Sequence, residues 1–277
     1  MVDSINNSTG VLGALRYLQS STIDLSKAES RLSSGLKVNS ARDNVTAYHS
    51  AEVMKGQGSS LNAVTLSLSR AESISDTAIG AAERISDLLI DMKQTVGAMM
   101  QNDLTPDQRQ AYASRFTEQK RQIETFVQNA SFDDSNILNG SKPNGVSFIA
   151  DSEATVTVTL AGRNFLNGGG VITLDRFDDL HDPDSAAETM RTLDESIKNV
   201  GEQLNDMVSE RKRIEAQKGF VSKLADALAA GVGRMVDTDL GLESALIQAL
   251  QIKQELSAHS VGIVNNAPNT LLSLFRS

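Results

Sequence analysis

Residues 64–99 read VTLSLSRAESISDTAIGAAERISDLLIDMKQTVGAM, and the spacing of apolar and small side chains in this stretch decides the fold. From Val64 the series Leu68, Ala71, Ser75, Ala78, Ala82, Ile85, Leu89, Met92, Val96 and Met99 alternates steps of four and three without a slip. A helix places such positions on one face, and an ordinary amphipathic helix drifts toward a 3.6-residue period. A seven-residue repeat held over 36 residues predicts a coiled-coil helix about 54 Å long at about 1.5 Å per residue.

A second series answers the first. It runs Leu193, Ile197, Val200, Leu204, Met207, Arg211, Ile214, Lys218, Val221, Ala225, Leu228, Val232 and Met235, with Arg211 and Lys218 as polar interruptions. Between the two long helices, Thr105 reads as an N-cap and Pro106 as a first helical residue, where its missing N–H costs nothing. Tyr112, Phe116, Gln119, Ile123, Phe126 and Ala130 then predict a shorter helix, antiparallel after the turn that follows Asn102. From Asn139 to Pro183 the period changes to two. Val156, Val158 and Leu160 alternate with Thr155, Thr157 and Thr159, and Val171, Ile172 and Leu174 follow the glycines at 168–170, predicting short strands in a hairpin. Pro183 and Asp184 start the long return helix, with the acid where the helix dipole favours it. The fold class is therefore mainly α, long antiparallel helices in a rod-like coiled-coil bundle with a small β-hairpin region.

The two ends are patterned for burial as well. Val11, Leu15, Leu18, Thr22 and Leu25 recur near the start; Leu242, Leu246, Ala249, Lys253 and Leu256 recur near the finish. Beside the latter lies a second stripe of Ile247, Leu250, Gln254, Ser257, Val261 and Val264. Two adjacent seams mean that two sides of one helix are to be covered. Terminal residues usually fray because few neighbours offset the entropy of ordering them. Apolar ends of this length call for each other and for further copies of the chain, which points to a polymer.

Composition narrows the alternatives. Aromatic residues make up 4% of the chain and Trp is absent, so the apolar content sits in the Ala, Leu, Ile, Val and Met of helix seams. A net charge of −9 without a long Lys/Arg run argues against nucleic acid. The absence of Cys removes disulfides and thiolate chemistry together. No apolar run approaches the roughly 18 residues of a membrane span, so membrane insertion is not expected. MVDSINNSTG lacks a basic and then apolar leader, so no cleavable secretory signal is expected. His49, His181 and His259 lie apart without metal-ligand spacing, and Asp175, Asp178, Asp179, Asp182 and Asp184 lack the glycine and spacing of a calcium loop. No catalytic, cofactor or metal site is expected.

Three segments carry a family resemblance. Arg31-Leu32-Ser33-Ser34-Gly35-Leu36-Lys37-Val38-Asn39-Ser40-Ala41-Arg42-Asp43 resembles the N-terminal signature of bacterial flagellins. Ser131-Phe132-Asp133-Asp134 through Ile137-Leu138-Asn139-Gly140 resembles an internal flagellin segment, with Asp133-Asp134 in place of Asn-Gly. Gln248-Ala249-Leu250 through Asn265-Asn266-Ala267-Pro268-Asn269-Thr270-Leu271-Leu272-Ser273-Leu274-Phe275-Arg276 resembles the flagellin C-terminus. The resemblance implies terminal helices that pair inside a filament tube, a surrounding rod layer, and here a short form without large outer domains. It implies an inner core domain from residues 1–42 and 236–277, rod helices at 43–138 and 184–235, and a hairpin region at 139–183. Filament-core assembly then falls to Val11, Leu15, Leu18, Leu25, Leu32, Leu242, Leu246, Leu250, Leu256, Val261, Val264, Leu271, Leu272 and Phe275, with Arg31, Gly35, Asn39 and Asp43 in the linker. Implied partners are other copies, hook-junction and cap proteins, the flagellar export apparatus and an export chaperone, with the product secreted into the extracellular filament. The face that an animal innate-immune receptor recognises in many flagellins falls at Arg84, Ser86 and Asp87, where Ser86 stands for a second Arg and removes a planar donor group.

Overall fold

The computed structural model describes residues 9–174 and 183–274. In order along the chain these form α1 (Thr9–Ser34), α2 (Val45–Met99), α3 (Pro106–Asn129), β1 (Val146–Ile149), β2 (Thr157–Leu160), α4 (Pro183–Val236) and α5 (Leu240–Leu274). They fall into two compact units, one of Met1–Gly56 with Ala227–Ser277 and one of Gln57–Asp226.

In the unit of Gln57–Asp226, every position of the seam from Val64 to Met99 is buried. Ile74, Leu88 and Thr95 are buried beside it. That second line widens the apolar face of α2, which can then cover more than one neighbour. Along α4, Ala186, Leu193, Val200, Met207, Ile214 and Val221 are buried at strict seven-residue spacing, and the other predicted seam positions are half-buried. The polar interruptions are resolved by pairing. Lys218 Nζ lies 2.8 Å from Glu72 Oε2, and Arg211 bonds the Asp76 carboxylate.

The start of α3 follows the expected chemistry. The Thr105 hydroxyl accepts from Gln108 N while the Gln108 side chain accepts from Thr105 N, a reciprocal box that satisfies two end donors. Its far end corrects the sequence reading: Phe126 is 37% exposed and Val127 takes the buried place. The step after Ile123 is therefore four, which keeps the buried side chains on one face up to Ala130.

The hairpin differs from expectation too. β2 pairs antiparallel with β1, Val146 opposite Leu160 and Ile149 opposite Thr157. The 171–174 run forms no ladder with it. Ile172 and Leu174 are fully buried, while Thr173 N donates to Ser196 Oγ (2.9 Å) and Asn199 Nδ2 to Val171 O (3.2 Å), so α4 satisfies this backbone with side chains. Pairing of β1 with β2 needs close main-chain approach: a Cβ on Gly162 would lie 1.7 Å from Lys142 O. The whole region is fixed to α4 by Arg163, whose guanidinium donates to Gln203 Oε1 (2.8 Å), Ala161 O (2.9 Å) and both oxygens of Glu210 (2.9 and 3.3 Å).

Candidate assembly surface

In the unit of Met1–Gly56 with Ala227–Ser277, α1 and α5 pack together. Partners descend along α5 as they ascend along α1: Gln254 Nε2 donates to Thr22 Oγ1 (3.1 Å), Ala28 and Leu25 cluster with Ile247 and Leu250, and Arg31 faces Glu243 at 4.0 Å. The pair is therefore antiparallel. Its seam is thin. Ser21 and Ala28 are the buried positions on α1, with Val11, Ala14, Leu18 and Leu25 half-buried on the same face.

The register of α1 is offset from the sequence reading. Steps of three then four from Val11 run through Ala14, Leu18, Ser21, Leu25 and Ala28, leaving Leu15 and Thr22 exposed. Small residues at seven-residue spacing bring two backbones close, and the predicted series, weighted toward large side chains, passed over Ala14, Ser21 and Ala28. Toward the start of α1 the small side chains leave an open groove of about 380 Å³, lined by Gly10, Gly13, Ala14, Ser257 and Ser260 together with Tyr17, Lys253 and Leu256.

On α5 the two predicted stripes separate. Ile247 and Leu250 are buried against α1, with Gln254, Ser257, Val261 and Val264 half-buried in line with them. The other stripe is exposed: Leu242 is 69% exposed, Leu246 41% and Leu256 62%, the last also bordering the groove beside α1. Ile263, 73% exposed, continues this stripe one heptad beyond Leu256. Leu32 of α1 is also exposed. Leu271 and Leu272 fall within α5, and Phe275 lies outside the described residues, as do Asp175, Asp178, Asp179, His181 and Asp182.

The linker motif forms a clip at the mouth of this pair. Gly35 adopts φ +72°, which glycine meets without steric cost, and closes α1 by donating to Arg31 O. Lys37 N then donates to Val236 O (2.7 Å), and Thr238 N to Gly35 O (2.9 Å), tying the exit of α1 to the entry of α5. Val38, Ala51 and Val236 are buried beneath. Asp43 Oδ2 accepts from Ser40 Oγ, Ser40 N and Asn39 N, and the Ser40 hydroxyl and amide hold its carboxyl below the ordinary carboxylate value. Asn44 caps α2 at Ala47 N, and Asp239 caps α5 at Gly241 N and Leu242 N. Of the predicted linker residues, Gly35 and Asp43 do structural work through the backbone, and Arg31 reaches the buried Glu243.

Arg84 and Asp87 of α2 are exposed and 3.8 Å apart, one turn from each other, with Ser86 half-buried between them. Among the described residues no cluster of His, Cys, Asp or Glu could hold a metal ion, and no helix is long and apolar enough to cross a membrane.

Known families recognise both ends of this arrangement. The bacterial flagellin N-terminal helical region matches residues 5–143, and the bacterial flagellin C-terminal helical region matches residues 179–275. The chain belongs to the bacterial flagellin family. It is 34% identical over 279 residues to flagellin FljJ of Caulobacter vibrioides, covering 100% of this chain and 99% of that one. To the flagellin of Brucella melitensis it is 27% identical over 293 residues, with 99% of each covered. A putative flagellar hook-associated protein from Vibrio parahaemolyticus shares the fold at a TM-score of 0.57 and 13% identity, over 70% of this chain and 100% of that one. Flagellins are structural proteins of the flagellar filament, and the chain has the helical ends and short centre of a small member.

Proposed function

We propose that this flagellin builds the extracellular filament by completing, between copies, the α5 stripe that one chain leaves uncovered. The observation that carries the reading is the line Leu242, Leu246, Leu256 and Ile263, exposed on α5 beside the buried Ile247 and Leu250 that pack on α1. An apolar row of that kind is costly in water and gains stability when a neighbour covers it. Residues 1–42 and 236–277 serve as the inner core domain, 43–138 and 184–235 as the rod around it, and 139–183 as its flank. Leu250, Leu18 and Leu25 hold the intrachain pair; Leu242, Leu246 and Leu256 hold the contact between chains. The net charge of −9 makes like subunits repel, so growth is favoured when salt screens it.

Hook-junction and cap proteins bound the filament at its two ends, and the export apparatus with its chaperone delivers the chain without cleavage. These roles rest on family membership.

Seeded growth tests the reading. Leu246→Asp or Leu256→Asp in the full chain is expected to abolish elongation of wild-type seeds while far-UV circular dichroism of the free chain stays unchanged. Elongation at the wild-type rate by either variant would overturn it.

A further inference from the structure

The long seam of α2 and α4 carries a problem that its apolar side chains cannot solve. Both series repeat every seven residues, so sliding one helix past the other by a heptad, about 10 Å, returns apolar groups to apolar groups. The charges do not repeat in this way. Lys93 pairs with Asp194, Arg211 with Asp76 and, at 3.7 Å, with Glu72, and Lys218 with Glu72 at 2.8 Å. Glu72 is half-buried and serves two cations, and Arg211 also reaches Glu215 at 3.2 Å along its own helix.

Slide α4 one heptad toward the C-terminal end of α2 and Lys218 meets Ile79, Asp194 meets Met100, and only Arg211 finds an acid, Glu83. In the other direction Lys218 meets Thr65, Arg211 meets Ser69, and Asp194 meets Ser86. One register out of three satisfies every charge. Partly exposed pairs add little net stability, because desolvation and side-chain ordering offset the attraction. A wrong register leaves Glu72, the less exposed of these groups, without a cation at the edge of an apolar seam, which costs more than the native pairing gains. A polar residue at a core position is a known means of fixing coiled-coil register.

We propose that Arg211 and Lys218, with Glu72 and Asp76, are register-specifying residues that hold α2 and α4 in one alignment. They interrupt the heptads to select a pairing, not to strengthen it. This inference concerns the fold of the single chain and stands apart from the filament reading.

The chain has no cysteine, so a pair of introduced thiols can be labelled cleanly. Gln94→Cys on α2 and Ala216→Cys on α4 occupy exposed positions separated along the bundle, and spin labels there report the sliding coordinate by double electron–electron resonance. In the full chain with native charges a single distance population is expected. In the E72L/D76L/K93L/D194L/R211L/K218L background the helices remain, and a second population displaced by about 10 Å appears. In the charge-exchanged E72K/D76K/R211E/K218E background the single native population returns. An unshifted single population in the leucine background would overturn the proposal, as would failure of the exchanged charges to restore one. Should the leucine background lose its helical signal, the exchanged background alone decides, with one native distance supporting register control and a broadened distribution refuting it.

Discussion

Arg163 offers the sharpest energetic test of how the short β region is held. Its side chain is 5% exposed and that of Glu210 12%, and the guanidinium makes bonds to Gln203, Ala161 and both carboxylate oxygens. Arg163→Met removes every one of these donors and leaves the Glu210 carboxylate nearly buried without a partner. Breaking a buried pair from one side costs about 3–5 kcal/mol, whereas replacing both partners by apolar groups is often neutral. With a urea dependence of about 2 kcal/mol per molar, the single variant should lower the unfolding midpoint of this unit by about 1.5–2.5 M. Glu210→Met added to Arg163→Met should recover most of that loss. Urea titration followed by circular dichroism, with hydrogen exchange at residues 146–160 to localise the change, measures both. A single variant within about 0.5 kcal/mol of wild type, or a double variant as weak as the single, would refute the reasoning.

Four further outcomes follow from particular residues. Asp134 sits at φ +56° in the turn closed by Phe132 and Ser135, so Asp134→Gly should stabilise the chain by about 0.5–1 kcal/mol, read as a rise of about 1–3 °C in melting temperature. Ser75 Oγ is buried in the α2 seam without a hydrogen-bond partner, so Ser75→Ala should stabilise by about 1 kcal/mol in the same scan. The Asp43 carboxyl lies below its ordinary 3.8 in the folded linker, so its contribution is present above 3.8 and is lost as pH falls through the lowered value. Asp43→Asn should therefore weaken exchange protection of the Asn39 and Ser40 amides at neutral pH and leave it unchanged in acid. Ser86→Arg, beside the exposed Arg84 and Asp87, should raise the response of cells reporting the innate-immune receptor, and a full response to the unaltered monomer would defeat the assignment.

The long helices were legible because a coiled-coil seam writes its geometry into the sequence at a fixed period. From Val64 to Met99 each predicted position is buried. Where the register rests on small residues the signal weakens: the α1 seam uses Ala14, Ser21 and Ala28, which look unremarkable beside Leu15. Phe126 was misplaced because a single step of three in place of four moves a side chain by a third of a turn. β1 escaped notice because four residues bracketed by loops carry too little alternation, and its partner is identified only by the ladder that sets Val146 opposite Leu160 and Ile149 opposite Thr157. The separation of the α5 stripes into one covered by α1 and one left open required the structure, since both have the same period.

The central claim is that the open α5 stripe is the contact between copies. A structure of the assembled filament by electron cryo-microscopy tests it most directly. The account predicts Leu242, Leu246, Leu256 and Ile263 buried against a neighbouring subunit, with Ile247 and Leu250 still packed on α1 of the same chain. Finding that stripe facing water in the filament would contradict it.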